Sequence, residues 1–253
     1  MSQSLKRCIL IISLFSPVLK AQIVNIEQFR LSSDTSRWRF SEQVNLSLLQ
    51  NTQRLISFNN NLGAQFRLKR FSAIGLSNLD FSSTGDNDIE RSGFIHLRFE
   101  NRFNANFSLE YFAQGQMDVP LKIDQRYLLG AGMRMALHKQ KVLSFYTGHL
   151  LMLEYDEERE TGNAYQNTRL SSYLNFNWHP SEALAFLVIA YYQPRLDKFS
   201  DYRLAIQGQL AFRLWKSLSF TFNARYAYDA FPVALDNIPQ LTYKVDNGVV
   251  FKF

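Results

Sequence analysis

Apolar and polar residues alternate along most of this chain. In 241–253, LTYKVDNGVVFKF, the residues Leu241, Tyr243, Val245, Val249, Phe251 and Phe253 share one parity. Thr242, Lys244, Asp246, Gly248 and Lys252 share the other, with Val250 as the exception. A period of two belongs to a strand with one apolar and one polar face. The pattern recurs in 37–49, where Trp38, Phe40, Val44, Leu46 and Leu48 line one side, and in 55–69, where Ile56, Phe58, Leu62, Phe66 and Leu68 oppose Ser57, Asn59, Asn61, Gln65 and Arg67. In 94–103, Ile95, Leu97 and Phe99 oppose His96, Arg98 and Glu100. In 167–178, Leu170, Leu174, Phe176 and Trp178 oppose Arg169, Tyr173, Asn175 and Asn177. The runs 106–116, 123–137, 202–214 and 218–228 behave alike. The run 71–81 is ambiguous in phase, and 142–155 and 183–192 are apolar on both faces. The pattern predicts about twelve strands.

The connections between these runs are sorted by length. Gaps near Arg70, 102–106, 138–141, 179–182 and 216–217 are tight. Those at 82–92, 117–122, 156–166, 193–201 and 230–240 are longer and more polar, while the first, near 50–53, is short. Short turns at one end and longer loops at the other are the layout of membrane barrels. Only a closed sheet or a helix satisfies every backbone group in lipid. No apolar run beyond the first residues reaches the length of about 20 that a spanning helix needs. The expected fold is therefore all-β, an antiparallel transmembrane β-barrel of about 12 strands, with short periplasmic turns and longer extracellular loops. A soluble secreted β protein is the alternative. Aromatics reinforce the barrel. Phe81, Tyr111, Phe112, Tyr127, Tyr155, Tyr191, Tyr192, Tyr226 and Tyr228 fall near the outer strand ends, and Phe71, Phe103, Trp178, Trp215 and Phe253 near the inner ones. Two such girdles are expected at headgroup depth.

Residues 1–21 read as a secretory signal peptide. Lys6 and Arg7 precede the apolar stretch 9–15, and Ala21 precedes the expected cut. Residues 22–36 would then be a short periplasmic segment, and 37–253 the barrel of an outer-membrane protein. Removing 1–21 takes away three basic residues and lowers the formal charge from +6 to +3. The basic balance is thus partly a leader effect, and no nucleic-acid motif accompanies it. Cys8 is the sole cysteine, so the mature chain forms no disulfide.

The segments DQRYLLGAGMRM (124–135), RLSSYLNFNW (169–178), YYQPRLDKFSDYRL (191–204) and DNGVVFKF (246–253) resemble a domain-of-unknown-function family of bacterial outer-membrane β-barrels described as salt-induced. The resemblance covers roughly 37–253. It implies an outer-membrane barrel and supplies no substrate and no functional residues. The terminal strand, ending on an aromatic, is similar to the assembly signal of such barrels, which makes Phe253 the candidate signal. The partners so implied are outer-membrane lipid and lipopolysaccharide, the barrel-assembly machinery and periplasmic chaperones.

The polar faces supply the candidate lumen charges: Arg98, Glu100, Arg102, Arg126, Arg134, Arg169, Arg203, Arg213, Arg225 and Lys244. Acids on the same faces are fewer, namely Glu100, Glu110, Asp124, Asp201, Asp229 and Asp246. Two readings follow. Ion pairs and amides pack the lumen into a rigid plug, or a narrow wet pore uses its excess of arginine to favour anions. The expected role is accordingly envelope structure or passage of small solutes, without catalysis. The alternative is an enzyme that modifies lipid or lipopolysaccharide. For it, His149 would need a cross-strand partner, since Ser144 lies on the opposite parity. The acidic run 156–160 reads as a solvated outer loop. No cofactor or metal is expected, because no phosphate loop, zinc spacing or calcium-loop motif occurs.

Overall fold

The structure is a computed structural model that describes residues 37–50, 54–84, 87–215, 218–233 and 238–251. The expected signal peptide and the segment 22–36 lie outside the described residues, as does Phe253. The strands are β1 (Trp38–Gln50), β2 (Arg54–Leu68), β3 (Phe71–Thr84), β4 (Asn87–Arg102), β5 (Phe107–Asp118), β6 (Ile123–Lys139), β7 (Leu143–Glu158), β8 (Ala164–Ser181), β9 (Leu184–Pro194), β10 (Tyr202–Trp215), β11 (Leu218–Asp229) and β12 (Leu241–Phe251). They form one sheet in sequence order, and each pairs antiparallel with the next. The sheet is rolled, because Phe112 on β5 and Ala227 on β11 share one buried cluster. Among the described residues β1 and β12 do not pair, so the roll has a seam.

The faces are inverted relative to a water-soluble sheet. The outer face exposes Leu97, Leu129, Leu151, Leu153 and Leu174, while the inner face buries Gln65, Asn78, His96, Glu110, Arg134 and Asn177. An apolar exterior around a polar interior is stable when the surrounding medium is hydrocarbon. The strands are long enough for this, since about 9–11 tilted residues cross a bilayer.

The connections sort as expected, with one difference. At one end, called the turn end, the links are 69–70, 103–106, 140–142 and 182–183. At the other, the loop end, they are 119–122, 159–163, 195–201 and 230–240. The polar stretch 82–92, read as a loop, instead continues the hairpin of β3 and β4, with Thr84 opposite Asn87. Strands therefore rise past the apolar belt at the loop end. Lys69 and Lys122 occupy turns with positive φ of 51° and 58°.

The aromatic belts are corrected at two positions. Tyr127 lies tilted beside Tyr155, and Tyr192, Tyr202 and Tyr228 form a row across β9, β10 and β11 on the outer face. Phe112 and Tyr191 turn inward and are 6% and 3% exposed. Each sits beside another aromatic, Tyr111 or Tyr192, and consecutive strand residues must point to opposite faces. Small residues make room for the inward rings. A Cβ on Gly130 would lie 2.1 Å from the Phe112 ring, and one on Gly148 would lie 2.3 Å from Tyr173.

Candidate functional site

The lumen has two unlike sides. On β5 to β9 the inner positions carry large side chains. Phe112, Leu128, Leu150, Met152, Tyr173, Ile189 and Tyr191 pack together with Ala205 and Ala227. Polar groups cross this mass. Tyr173 Oη donates to Glu110 Oε2 at 2.9 Å, Arg134 Nη1 donates to Tyr173 Oη at 3.1 Å, and Arg98 Nη1 pairs with Glu110 at 3.2 Å. Arg134 also lies 4.1 Å from the Tyr146 ring centroid, and Arg98 lies 5.0 Å from that of Phe112, so both guanidiniums gain from ring faces as well.

Toward the loop end the packed side carries an ion-pair network centred on Glu154. Arg169 Nε donates to its Oε2 at 2.8 Å and Arg203 Nη1 at 2.9 Å, while Arg126 Nε lies 3.9 Å from Oε1. Arg126 also bonds Asp156, and Arg203 Nε donates to Asp229 at 2.8 Å. Arg169 reaches Asp201 at 2.9 Å, and Arg195 reaches the other oxygen of Asp201 at 3.1 Å. Four guanidiniums thus meet four carboxylates of the barrel and, through Arg195, a fifth on the link, Asp197. Arg169 also donates from Nη1 to the carbonyls of Gln193 and Asp201, which fixes the link 195–201 to the barrel wall. In that link, outside the strands, the hydrogen bond from Arg195 holds the Asp197 carboxyl below the usual carboxylate range.

The other side is built from β1, β2, β3, β10, β11 and β12, whose inner positions are mostly amides and hydroxyls. Asn45 donates to Asn59 at 3.1 Å, Asn61 to Asn59 at 2.7 Å, and Asn78 to Asn61 at 2.9 Å. Asn59 also bonds Asp80. Ser82 reaches Ser57 at 3.1 Å, and Gln209 donates to Asn223 at 2.9 Å. Short polar side chains of this kind cannot bridge the lumen, and they retain hydrogen-bonding capacity for water.

The sequence candidates therefore separate. Arg98, Arg126, Arg134, Arg169 and Arg203 face the lumen and are held by acids or rings. Glu100 is half-buried, and Arg102 is exposed at the turn end of β4. Arg213 is half-exposed and pairs at 3.5 Å with the exposed Glu182. Arg225 is exposed on the amide-lined side and stands directly opposite Lys244 in the β11–β12 register.

The expected excess of lumen arginine is corrected. The acids that balance it, Glu154 and Asp156, lie on β7, and Asp156 belongs to the run read as a solvated loop. Both are buried, and Glu158 with them. Parity beyond Met152 would have found them, since Glu154, Asp156 and Glu158 continue the even positions of Leu150 and Met152.

His96 is a lumen residue, bonded through Nδ1 to Gln114 at 2.9 Å. His149 faces outward. Its Nδ1 lies 3.0 Å from Ser172 Oγ on β8, and its Nε2 lies 3.3 Å from Thr147 Oγ1. The cross-strand hydroxyl exists, but no carboxylate joins the imidazole among the described residues. Mutual hydrogen bonding satisfies three polar groups in an apolar wall. Among the described residues no group of three or more His, Cys, Asp or Glu side chains is arranged to hold a metal ion.

Comparison with solved structures finds chains of similar course at low identity. The NanC porin is 8% identical with a TM-score of 0.48, over 78% of this chain and 94% of that one. The KdgM porin in complex with disordered oligogalacturonate is 10% identical with a TM-score of 0.42, over 84% and 99%. The translocator domain of the autotransporter NalP from Neisseria meningitidis is 11% identical with a TM-score of 0.42, over 89% and 92%. Comparison with curated proteins gives no match. The model of a protein family of unknown function, DUF481, matches residues 28–243 and so takes in nearly all of the strands described above. The chain belongs to the DUF481 family.

Proposed function

We propose that this protein is an outer-membrane barrel, exported by its N-terminal segment, that passes small hydrophilic solutes along one side of its lumen. The supporting observation is the division of the inner wall. The packed side, from β5 to β9, is filled by rings and closed ion pairs and acts as a permanent plug. The amide-lined side, from β10 through the seam to β3, has the chemistry of a hydrated passage. Because Arg126, Arg169 and Arg203 are neutralised by their carboxylates, they project little field. Arg225, exposed on the amide-lined wall, supplies a weak preference for anions. The reading assigns no catalysis.

The test is single-channel recording from refolded mature protein in a planar bilayer, with reversal potentials in a salt gradient. Small resolved steps with a modest anion preference are expected. Arg225→Gln should shift the reversal potential toward zero. Silence from demonstrably folded protein would overturn the passage and leave a purely structural barrel.

A further inference from the structure

A cavity of about 70 Å³ opens to solvent at the loop end of the lumen. Phe112, Leu128, Met152 and Tyr191, all members of the buried cluster, line its deeper part. Gln116, Gln193, Arg126 and Arg203 line it nearer the strand ends, and Pro232, Val233, Ile238 and Pro239 line it from the segment after β11. A concave site with apolar walls and a few convergent polar groups is the usual form of a small-molecule site.

Two features define what would fit. First, the charges are already matched. Arg126 and Arg203 are held by Asp156, Glu154 and Asp229, so an incoming anion would have to displace a buried carboxylate, and an incoming cation would meet guanidiniums. Second, Arg98 is 5% exposed, lines the cavity and spends Nη1 on Glu110, while its Nε is buried with no hydrogen-bond partner among the described residues. A buried unsatisfied N–H is costly, and a neutral oxygen acceptor would satisfy it without disturbing the pair.

We propose that this cavity binds a small uncharged amphiphile. An apolar ring or short chain would lie against Phe112, Met152 and Tyr191, and hydroxyl or carbonyl oxygens would meet Arg98 Nε and the glutamine amides. An aryl or alkyl glycoside has this chemistry. A bare sugar lacks the apolar body, and an aryl carboxylate carries the wrong charge.

The experiment uses refolded mature chain in lipid nanodiscs, free of glycoside detergent, with phenyl β-glucoside as probe and glucose and phenylacetate as comparators. Binding is followed by equilibrium dialysis and saturation-transfer NMR. Saturable binding of the phenyl glucoside is expected, at least about tenfold tighter than either comparator. Ala227→Trp, which fills the cavity from β11, should abolish it. If that variant lacks the folded band on unheated gels, Ala227→Met takes its place. Arg98→Lys retains a cation for Glu110 but loses the Nε–H, and should weaken binding about 3- to 10-fold. Non-saturable uptake unchanged by these variants would mean partition into lipid and would overturn the site. Phenylacetate binding more tightly than the glucoside would overturn the ligand class. None of these readouts depends on conductance, so the site and the passage can fail separately.

Discussion

Replacing Glu154 by glutamine tests whether the ion-pair network is dry. The Glu154 side chain is fully buried and accepts from two arginines, Arg169 at 2.8 Å and Arg203 at 2.9 Å, of which Arg169 is 3% exposed. Removing one partner of a buried pair costs about 3–5 kcal/mol, because the remaining charge stays desolvated. Here the lower end applies. Arg203 keeps Asp156 and Asp229, Arg169 keeps Asp201, and a glutamine oxygen can still accept one bond. The expected loss is about 3 kcal/mol. It would be measured by urea unfolding of protein refolded into vesicles, followed by tryptophan fluorescence and by the folded band on unheated gels. Arg203→Gln should also destabilise, because Asp229 loses its partner, and the double variant should lose about 1–2 kcal/mol less than the sum of the two single losses, the coupling a double-mutant cycle reads. A loss below about 1 kcal/mol in the single variant would mean that Glu154 behaves as an exposed acid. The packed side would then be wet, and the division of the lumen would be refuted.

Four further outcomes are expected. Gly132→Ala should cost about 1–3 kcal/mol or more in the same assay, since its Cβ would lie 2.1 Å from the His149 carbonyl oxygen and 2.5 Å from Leu150 Cα. Gly115→Ala, whose Cβ would meet Tyr127 at an ordinary 3.5 Å, should fold normally. Leu174→Arg should cost about 2–4 kcal/mol if this half-exposed outer residue meets hydrocarbon, and a neutral result would reverse the face assignment. A cysteine at Leu46 on β1, paired in turn with cysteines along β12, should form a disulfide within one chain, because unpaired strand edges are not tolerated in lipid. Cross-links only between chains would show that the seam is closed by a second copy.

Most of the fold was legible because alternation reports the medium on each side of a strand. In 94–100 of β4 and 169–178 of β8 the sequence parity matches the observed faces, and the β12 parity places Tyr243 and Val245 outside and Thr242 inside. Legibility failed where inner and outer positions carry the same residue class. On β7, Leu150 and Met152 face in while Leu151 and Leu153 face out, so no contrast marks the phase. The polar ends of β3 and β4 resembled a loop because, above the apolar belt, a strand no longer has an apolar face to show. Phe112 and Tyr191 look like belt residues by composition, and only the inward neighbours Glu110 and Gln193 betray their direction.

The misjudged arginine excess has the same origin, and it bears on selectivity. Counting charges on polar faces treats every lumen cation as available to a solute. A guanidinium with a carboxylate at 2.8–2.9 Å presents a solute with a dipole, and its field is largely spent within the pair. Arg169 and Arg203 are in that state, and so is Arg126, which bonds Asp156. Arg225 differs: it is exposed, and the residue across from it is another cation, Lys244. The exposure of Arg225 therefore argues for hydration at that wall as the asparagine ladder does. Charge reversal at Arg203 should act mainly on stability, whereas neutralising Arg225 should act mainly on ion preference.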